Sequence, residues 1–156
     1  MTDIAIFAAG CFWGIEEKFN STEGVIETEV GYIGGKKDNP TYEEVCSGTT
    51  NHAEAVRIYY QKEIVSFDSL LNIFFEIHDP TTLNRQGPDI GTQYRSVIFC
   101  QDEFQRLSSE NKIKELNRNK FNNSIVTSIE SNKDFWIAEE YHQKYLKKKR
   151  FNIFSK

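Results

Sequence analysis

The order of strand and helix patterns constrains the fold of this chain more than any other sequence feature. Residues 25–32 and 53–60 both have the period-two character of strands, and no helix pattern separates them. A doubly wound parallel sheet requires a helix between two such strands, so the pattern excludes that architecture. The sequence therefore predicts a mixed or antiparallel sheet.

The strongest helix pattern follows the second of these strands. Its apolar residues recur at i, i+3, i+4, i+7 and i+8, which places them on one face of a helix. Ser66 precedes the run as a predicted N-cap, and His78-Asp79-Pro80 ends it. The apolar residues are Phe67, Leu70, Leu71, Phe74 and Phe75.

The complete order of elements predicts an α+β fold. A strand at 3–8, a helix at 11–20 and a strand at 94–100 complete the order strand–helix–strand–strand–helix–strand. This order is typical of a two-layer sandwich with a mixed or antiparallel sheet and a ferredoxin-like core. The remaining predicted segments are long irregular loops at 34–51 and 81–93, a polar helix at 102–120, a short strand at 125–129 and a helix at 134–149.

Composition narrows the partners and the compartment. The 156 residues fit one domain, expected to span 1–156 with a solvated basic tail from about residue 147. The net charge of −4 argues against nucleic acid or an anionic membrane as the main partner. Because no apolar stretch approaches the ~20 residues that span a bilayer and no signal peptide is recognisable, we expect a cytoplasmic protein. We also expect a monomer. The three cysteines and three histidines show neither a disulfide-framework spacing nor a zinc-ligand spacing.

Cys11 is the first candidate for chemistry. It stands where the first strand meets the first helix, and free backbone N–H groups and the helix dipole favour an anion there. Such a position is expected to lower the thiol pKa and to favour the nucleophilic thiolate. The alternative is a buried structural cysteine. The flanking Gly10 and Gly14, which leave the sulfur accessible, favour chemistry.

Glu54 is a carboxylate on an otherwise apolar strand face. Burial raises the pKa of a carboxyl group, so Glu54 can hold a proton near neutral pH and act as a general acid. The alternative is a strand-end residue that reaches solvent. Two loop tyrosines, Tyr42 and Tyr94, offer hydroxyls for a polar oxygen, although both are equally compatible with ordinary amphipathic aromatics. The residues that share the face with Glu54 at period two are Val56, Ile58 and Tyr60.

A series of motifs runs in order from about residue 5 to residue 146. The motifs are Gly10-Cys11-Phe12-Trp13-Gly14, Gly31-Tyr32-Ile33-Gly34-Gly35, Asn39-Pro40-Thr41-Tyr42-Glu43-Glu44-Val45-Cys46-Ser47-Gly48, His52-Ala53-Glu54-Ala55-Val56, His78-Asp79-Pro80, the run from Arg85-Gln86-Gly87 through Asp89 to Gly91-Thr92-Gln93-Tyr94-Arg95-Ser96, and Ala138-Glu139-Glu140-Tyr141-His142-Gln143-Lys144-Tyr145-Leu146. Together they closely resemble the peptide methionine sulfoxide reductase A family. Its enzymes reduce one of the two epimers of methionine sulfoxide back to methionine, and a separate enzyme acts on the other epimer.

The resemblance implies an oxidoreductase that reduces the S epimer of methionine sulfoxide, both free and in oxidised proteins, with no metal or organic cofactor. It makes Cys11 the nucleophile that attacks the sulfoxide sulfur and Glu54 the acid that protonates the oxygen. Tyr42 and Tyr94 would hydrogen-bond that oxygen. Asp89 would support the site by hydrogen bonding.

The same resemblance makes Phe12 and Trp13 the apolar wall that holds the substrate methyl group. Two other functions stay open from the residues alone. One is a Cys-His hydrolase that pairs Cys11 with His52 or His142. The other is a binding module that holds methionine-like side chains on the two aromatic residues without turnover.

The thiol that resets the enzyme is the open part of the cycle. Attack leaves Cys11 as a sulfenic acid, which another thiol must reduce. Many family members carry resolving cysteines in a late tail, and residues 151–156 contain none. Cys46, in the loop that carries Tyr42, is the internal candidate, whereas Cys100 is expected to be structural. The alternative is an external thiol, from thioredoxin or from glutaredoxin with glutathione.

Overall fold

A six-stranded mixed sheet forms the centre of the protein, which we describe from a computed structural model that covers residues 2–154. Helices pack on one of its faces. In chain order the elements are β1 (Thr2–Ala9), α1 (Phe12–Asn20), β2 (Val25–Ile33), α2 (Tyr42–Cys46), β3 (Ala53–Gln61), α3 (Phe67–Glu76), β4 (Arg85–Gln86), β5 (Asp89–Ile90), β6 (Ser96–Cys100), α4 (Glu103–Leu116), β7 (Ser128–Ser131), β8 (Trp136–Ile137) and α5 (Tyr145–Phe154), with short 3-10 turns at Thr92–Tyr94 and Glu140–His142 and a π-helical turn at Asn117–Phe121.

The sheet topology confirms the predicted α+β fold. The strand order is β7-β6-β1-β3-β2-β8. The four central strands, β6, β1, β3 and β2, are antiparallel to one another in succession, whereas β7 runs parallel to β6. Since α1 connects β1 to β2 and α3 lies between β3 and β6, the chain follows the predicted order strand–helix–strand–strand–helix–strand.

Side chains alternate along β1 and supply two hydrophobic clusters. Ala5 and Phe7 point into the main core between the sheet and the helices, whereas Ile6 belongs to a smaller cluster on the other face. The Phe7 ring lies 5.5 Å from that of Phe19 in α1 and 5.0 Å from that of Phe74 in α3. Burying each such side chain contributes roughly 1.5–3 kcal/mol, so this aromatic cluster fixes both helices on the sheet.

Helix α3 matches its sequence pattern. All five apolar residues of the predicted face are buried. The Ser66 hydroxyl oxygen accepts a hydrogen bond from the Ser69 backbone N–H at 3.0 Å, which confirms the predicted N-cap.

The predicted helix at 134–149 is wrong for its first half. Trp136 and Ile137 instead form β8, which pairs with Tyr32 and Gly31 of β2. The side chain of Gln143 then bonds both the N–H and the carbonyl of Val30 at 2.9 Å. These contacts satisfy the backbone at the β2 edge, and only tertiary structure supplies that edge. A helix begins at Tyr145.

Other differences from the sequence prediction are smaller. The strand predicted at 125–129 lies at Ser128–Ser131, and α2 forms inside the predicted irregular loop. The basic run 147–150 is exposed as expected, but it lies within α5 rather than in a tail, because α5 packs on α1 through pairs such as Arg150 with Glu17. The end of the predicted tail, residues 155–156, lies outside the described residues.

Candidate active site

Cys11 lies at the turn between β1 and α1, as the N-cap residue of the helix. The turn depends on Gly10, whose φ of +100° is in the region that favours glycine. A Cβ on Gly10 would also approach Gln86 Cγ to 2.7 Å, so a side chain is excluded there by contact as well. The sulfur is half-buried and forms no disulfide.

The Cys11 thiol does not have the lowered pKa that its position at the helix N-terminus predicts. Burial raises its pKa to about 11, and the negative charges of Glu54 and Asp89 act in the same direction. Hydrogen bonds from the backbone N–H groups of Trp13 and Gly14 lower the pKa but do not compensate. In the free protein, the thiol therefore keeps its proton at neutral pH.

Glu54 is 1 % exposed, so it does not reach solvent as a strand-end residue. It stands on β3 directly opposite Tyr32 of β2. The backbone N–H of Phe12, the residue after Cys11, donates to Glu54 Oε1 at 3.2 Å. Burial raises the pKa of Glu54 to about 7, with a further contribution from the charge of Asp89 and opposition from the Phe12 hydrogen bond. This carboxyl group can therefore hold or release a proton near neutral pH.

The two loop tyrosines lie within the electrostatic reach of Glu54. Tyr42 is the first residue of α2, and Tyr94 ends the 3-10 turn before β6. Burial, followed by the charge of Glu54, raises the pKa of Tyr94 to about 12. Burial, followed by a side-chain hydrogen bond with Cys46, raises the pKa of Tyr42 as well. Both hydroxyls thus stay protonated and can donate hydrogen bonds.

Asp89 reaches the site on a two-stranded hairpin, β4–β5, in which it pairs with Gln86. Its charge raises the pKa of Cys11, Glu54 and Tyr94. The Gln86 amide in turn accepts from the Asp79 N–H at 2.8 Å and donates to the Asp79 carbonyl at 2.7 Å. These two bonds fix the hairpin to the end of the segment that follows α3.

Phe12 and Trp13 occupy different environments on α1. Phe12 is 1 % exposed, whereas Trp13 is half-buried. The Trp13 indole N–H donates to His142 Nδ1 at 2.9 Å, and its ring stacks on Tyr145 with centroids 3.8 Å apart and planes 8° from parallel.

Sequence reasoning assigned no supporting role to the side chains that hold this group in place. Glu139 accepts hydrogen bonds from the Tyr32 hydroxyl at 2.8 Å and from the Tyr42 backbone N–H at 2.9 Å. His142 and Tyr145 contact Trp13 as described. All three belong to the last motif of the resemblance, which identified the segment but assigned no role to any residue in it.

The other two cysteines lie in different surroundings. Cys46 is exposed at the end of α2. Partial burial of its thiol raises the thiol pKa most, the hydrogen bond with Tyr42 lowers it, and the charges of Glu54 and Glu139 raise it further. Cys46 is therefore at the rim of the same site. Cys100 is buried, and its thiol contacts the Ser109 hydroxyl at 4.0 Å.

The histidines give no support to a Cys-His hydrolase. His52 Nδ1 accepts from the Gly35 N–H at 2.9 Å, and its Nε2 lies 2.7 Å from the Lys37 carbonyl oxygen. His142 Nδ1 is bonded to Trp13. Neither residue is hydrogen-bonded to Cys11 as a base would be.

Within residues 2–154, no cluster of three or more His, Cys, Asp or Glu side chains could hold a metal ion. Over the same range, no helix combines the length and the apolar character that crossing a bilayer requires.

A cavity of about 750 Å³ between α5 and the β2 edge is lined by none of the candidate site residues.

Comparisons with known proteins agree on one family. A family model described as peptide methionine sulfoxide reductase matches residues 3–155. A protein named peptide methionine sulfoxide reductase MsrA, from Geobacter metallireducens, is 56% identical over 149 residues, which cover 93% of this chain and 90% of the relative. The reduced form of Mxr1 from Saccharomyces cerevisiae superposes with a TM-score of 0.91 at 39% identity, covering 96% of this chain and 86% of that one. Mxr1 in complex with Trx2 superposes with a TM-score of 0.67 at 27% identity, covering 92% and 84% of the two chains.

Proposed function

This chain belongs to the peptide methionine sulfoxide reductase MsrA family, and we propose that Cys11 and Glu54 carry out its reaction on the S epimer of methionine sulfoxide. The Cys11 sulfur attacks the sulfoxide sulfur while Glu54 protonates the oxygen. The substrates are free methionine sulfoxide and oxidised methionine in proteins. The reaction takes place in a single domain, and the protein acts as a monomer. Its compartment is the cytoplasm, where thiol reductants are abundant.

The observation that carries this proposal is the proton-holding carboxyl group beside the thiol. A sulfoxide oxygen leaves readily only after it is protonated, so the reaction needs an acid that is neutral near pH 7. Glu54 is 1 % exposed, has a pKa of about 7 and bonds the backbone of the residue next to Cys11. This combination supports Glu54 as the general acid.

The first step balances without an external proton. The methyl sulfoxide R–S(=O)–CH₃ and the Cys11 thiol give the sulfide R–S–CH₃ and Cys11–SOH, so sulfur in the substrate is reduced and sulfur in Cys11 is oxidised. Because the pKa of Cys11 is about 11, the thiol must lose its proton as it attacks. Glu54 gives one proton to the oxygen and accepts the proton that the thiol releases, so the carboxyl group ends as it began.

Substrate recognition is assigned to the residues around this pair. The Tyr42 and Tyr94 hydroxyls donate to the sulfoxide oxygen. Both stay protonated, and the charge of Glu54 contributes to the raised pKa of each. Phe12 and Trp13 form the wall against the methyl group. Asp89 supports the protonated state of Glu54 through its charge, and it supports the site further by hydrogen bonding.

Cys46 is proposed to reset the enzyme. Cys11–SOH and the Cys46 thiol would form a disulfide and release water, and a dithiol reductant would then reduce that disulfide. The position of Cys46 at the site rim supports this step. The alternative is direct reduction by an external thiol, thioredoxin or glutaredoxin with glutathione. The structure of the yeast relative Mxr1 with Trx2 supports thioredoxin as a partner in either case.

Enantiomerically pure methyl p-tolyl sulfoxide tests the reaction. With dithiothreitol as reductant, we expect turnover of the S epimer, and we expect the Cys11→Ser variant to be inactive. Equal turnover of both epimers would contradict the stereochemical assignment, and full activity of the variant would contradict the nucleophile.

Mass spectrometry after one equivalent of substrate, without reductant, tests the second step. We expect a Cys11–Cys46 disulfide in the parent protein and in the matched control Cys100→Ser, and a persistent sulfenic acid in Cys46→Ser. A persistent sulfenic acid in the parent protein would instead assign the step to an external thiol.

A further inference from the structure

The β4–β5 hairpin carries Asp89 to the site, yet it has almost no apolar anchor. Within residues 85–90 only Gln86 and Asp89 are half-buried, and the other four residues are exposed, among them Ile90 to 72 %. Because so little apolar surface is buried, the hydrophobic effect contributes little to the position of the hairpin. Its position depends on hydrogen bonds instead.

The Gln86 amide forms the hydrogen bonds that connect the hairpin to the rest of the protein. Its Oε1 accepts from the Asp79 N–H at 2.8 Å, and its Nε2 donates to the Asp79 carbonyl at 2.7 Å. In the described part of the chain, the other hydrogen bonds of residues 85–90 stay within the segment 82–91. The amide of Gln86 is therefore the polar link between this hairpin and the end of α3.

Gln86 also lies between Asp89 and the turn that carries Cys11. It pairs with Asp89 across the β4–β5 ladder. Its stem rests against Gly10, where an added Cβ would approach Gln86 Cγ to 2.7 Å and Gln86 Cβ to 2.9 Å. One side chain therefore contacts the Asp79 backbone, the strand of Asp89 and the residue before Cys11.

The Asp79 backbone is a fixed point because its neighbour His78 is anchored independently of the hairpin. Burial lowers the pKa of His78 to about 4, so the ring is neutral at pH 7. Its Nδ1 donates to the Phe74 carbonyl at 2.5 Å, which leaves Nε2 to accept from the Ser96 hydroxyl at 2.8 Å. Substitution of Gln86 therefore releases the hairpin and leaves its attachment point in place.

We propose that Gln86 is a positioning residue, whose side-chain amide fixes the hairpin so that the Asp89 carboxylate faces Cys11 and Glu54. The proposal rests on the proposed function, in which Cys11 and Glu54 carry out the reaction and Asp89 supports them. Gln86 itself touches neither the reacting sulfur nor the reacting oxygen in this account. An amide suits the position because it donates and accepts at once.

Gln86→Met keeps a stem that can rest against Gly10 and removes the amide. We expect Q86M to lower kcat/KM for the S-sulfoxide by about 10–100-fold, since displacement of a group by about 1 Å has an effect of this order. The urea midpoint of unfolding should stay close to that of the parent, because the hairpin buries little. The matched control Gln101→Met introduces the same side chain at another half-buried glutamine, which donates to the Phe99 carbonyl, and should keep the parental kcat/KM.

Gln86→Glu makes the link depend on pH. A protonated carboxyl group has an O–H donor and an acceptor oxygen, so it can bond the Asp79 backbone as the amide does, whereas a carboxylate only accepts. The charged residues next to position 86 in the chain, the ladder and the hydrogen bonds are Arg85, Asp89 and Asp79, and the parent protein has them too. At pH 5 we expect the kcat/KM of Q86E to approach that of the parent while Q86M stays below it. At pH 8 both variants should be impaired.

The pKa of Glu54 is a readout that a purely structural role would not change. The negative charge of Asp89 contributes to this raised pKa, so a displaced Asp89 should let it fall. By ¹³C NMR of the carboxyl carbon, we expect the Glu54 pKa in Q86M to move toward its value in Asp89→Asn. The other titratable groups that interact with Glu54 all have raised pKa values and are neutral at pH 7; they are Cys11, Tyr32, Tyr42, Cys46 and Tyr94.

Two further measurements test the link itself. In an Asp89→Asn background, Q86M should have no further effect on kcat/KM, because the two residues act through one contact. In the parent protein, which carries no folding risk, hydrogen exchange of the Asp79 backbone N–H should be slow, since Gln86 Oε1 accepts from it. In Q86M that exchange should be fast.

The proposal and the proposed function fail in different ways. Parental kcat/KM in Q86M, an unchanged Glu54 pKa, a large fall in the urea midpoint, or equal impairment of Q86E at pH 5 and pH 8 would overturn the role of Gln86. If Asp89→Asn itself keeps the parental kcat/KM, Asp89 is wrongly assigned in the proposed function, and the role of Gln86 is overturned with it. The expected inactivity of Cys11→Ser does not depend on any of these results.

Discussion

Two glutamates, Glu16 in α1 and Glu54 in β3, are equally buried and differ in what surrounds them. Each is 1 % exposed. The Glu16 carboxylate accepts from the Thr28 hydroxyl at 2.8 Å and from the Lys144 N–H at 2.6 Å, and it lies 3.6 Å from the Lys144 ammonium. Within the described part of the chain, Glu54 accepts a single hydrogen bond, from Phe12 at 3.2 Å, and Asp89 adds a negative charge nearby.

We propose that this difference separates a structural carboxylate, Glu16, from a reactive one, Glu54. Hydrogen bonds and an ammonium group stabilise a buried negative charge, so Glu16 can tie α1, β2 and the segment before α5 together. Glu54 lacks that support, so its pKa is raised to about 7 and the carboxyl group keeps its proton up to about neutral pH. Burial alone therefore does not identify an acid catalyst. The number and charge of the donors decide which role a buried glutamate has.

The strongest test replaces Glu54 with glutamine, which keeps the shape and removes the transferable proton. We expect kcat to fall by about 10²–10⁴-fold, the usual range for loss of a general acid. Glu16→Gln is the matched control and should retain most of the activity. The rates are measured with the S-sulfoxide at pH 7, and an unchanged rate in E54Q would make Glu54 a bystander.

The same variant should change how stability depends on pH. Burial disfavours the ionised form of Glu54 in the folded state, so ionisation lowers the free energy of unfolding. This loss is absent below the ordinary pKa of about 4.5, grows as the pH rises, and is complete above about 7. This gap between the two pKa values corresponds to about 3 kcal/mol at full ionisation. E54Q should therefore gain stability relative to the parent protein between pH 5 and pH 8, as measured by urea unfolding. A parallel pH dependence of the two proteins would contradict this.

Glu16→Gln should act in the opposite direction on stability. It removes the negative charge that faces the Lys144 ammonium and leaves a buried amide with donors to satisfy, so we expect a loss of about 1–2 kcal/mol. Glu17→Gln provides a surface control, since its partner Arg150 is exposed, and should change stability by less than about 0.5 kcal/mol. A stabilised E16Q would remove the contrast between the two glutamates.

The smallest expected effect is that of Tyr94→Phe. If the hydroxyl donates to the substrate oxygen rather than to Glu54, the variant should lose roughly tenfold in kcat, which matches one hydrogen bond. Its unfolding free energy and the pKa of Glu54 should stay close to those of the parent. A large shift of the Glu54 pKa would mean that the hydroxyl serves the carboxyl group.

Local patterns in the sequence predicted the parts of the fold that depend on local interactions. The i, i+3, i+4 pattern with Ser66 predicted α3. The period-two face of β3 left two interpretations of Glu54, a buried acid or a strand-end residue that reaches solvent, and the structure shows the buried one. The pattern Thr41-x-x-Glu44 is a capping box, and the structure contains that box at the start of α2, where the sequence prediction had only a loop. That signal was present and could have been used.

Long-range contacts account for what the sequence did not predict. The segment from Trp136 to Tyr145 takes its structure from the β2 edge and from Glu16, which lies more than a hundred residues away. The pKa of Cys11 depends on burial by distant segments and on the charges of Glu54 and Asp89, so the helix N-terminus alone gave the wrong direction. From the sequence, only the resemblance to a family assigned Cys11, Glu54 and Asp89 to one site.

The protonation of Glu54 in the folded protein tests the account most directly. In protein labelled with ¹³C at the glutamate carboxyl carbon, NMR can follow each carboxyl group with pH, and E54Q identifies the Glu54 signal by its absence. The account predicts a Glu54 signal that titrates with a pKa of about 7. A Glu54 signal that titrates near the ordinary value of about 4.5 would contradict it.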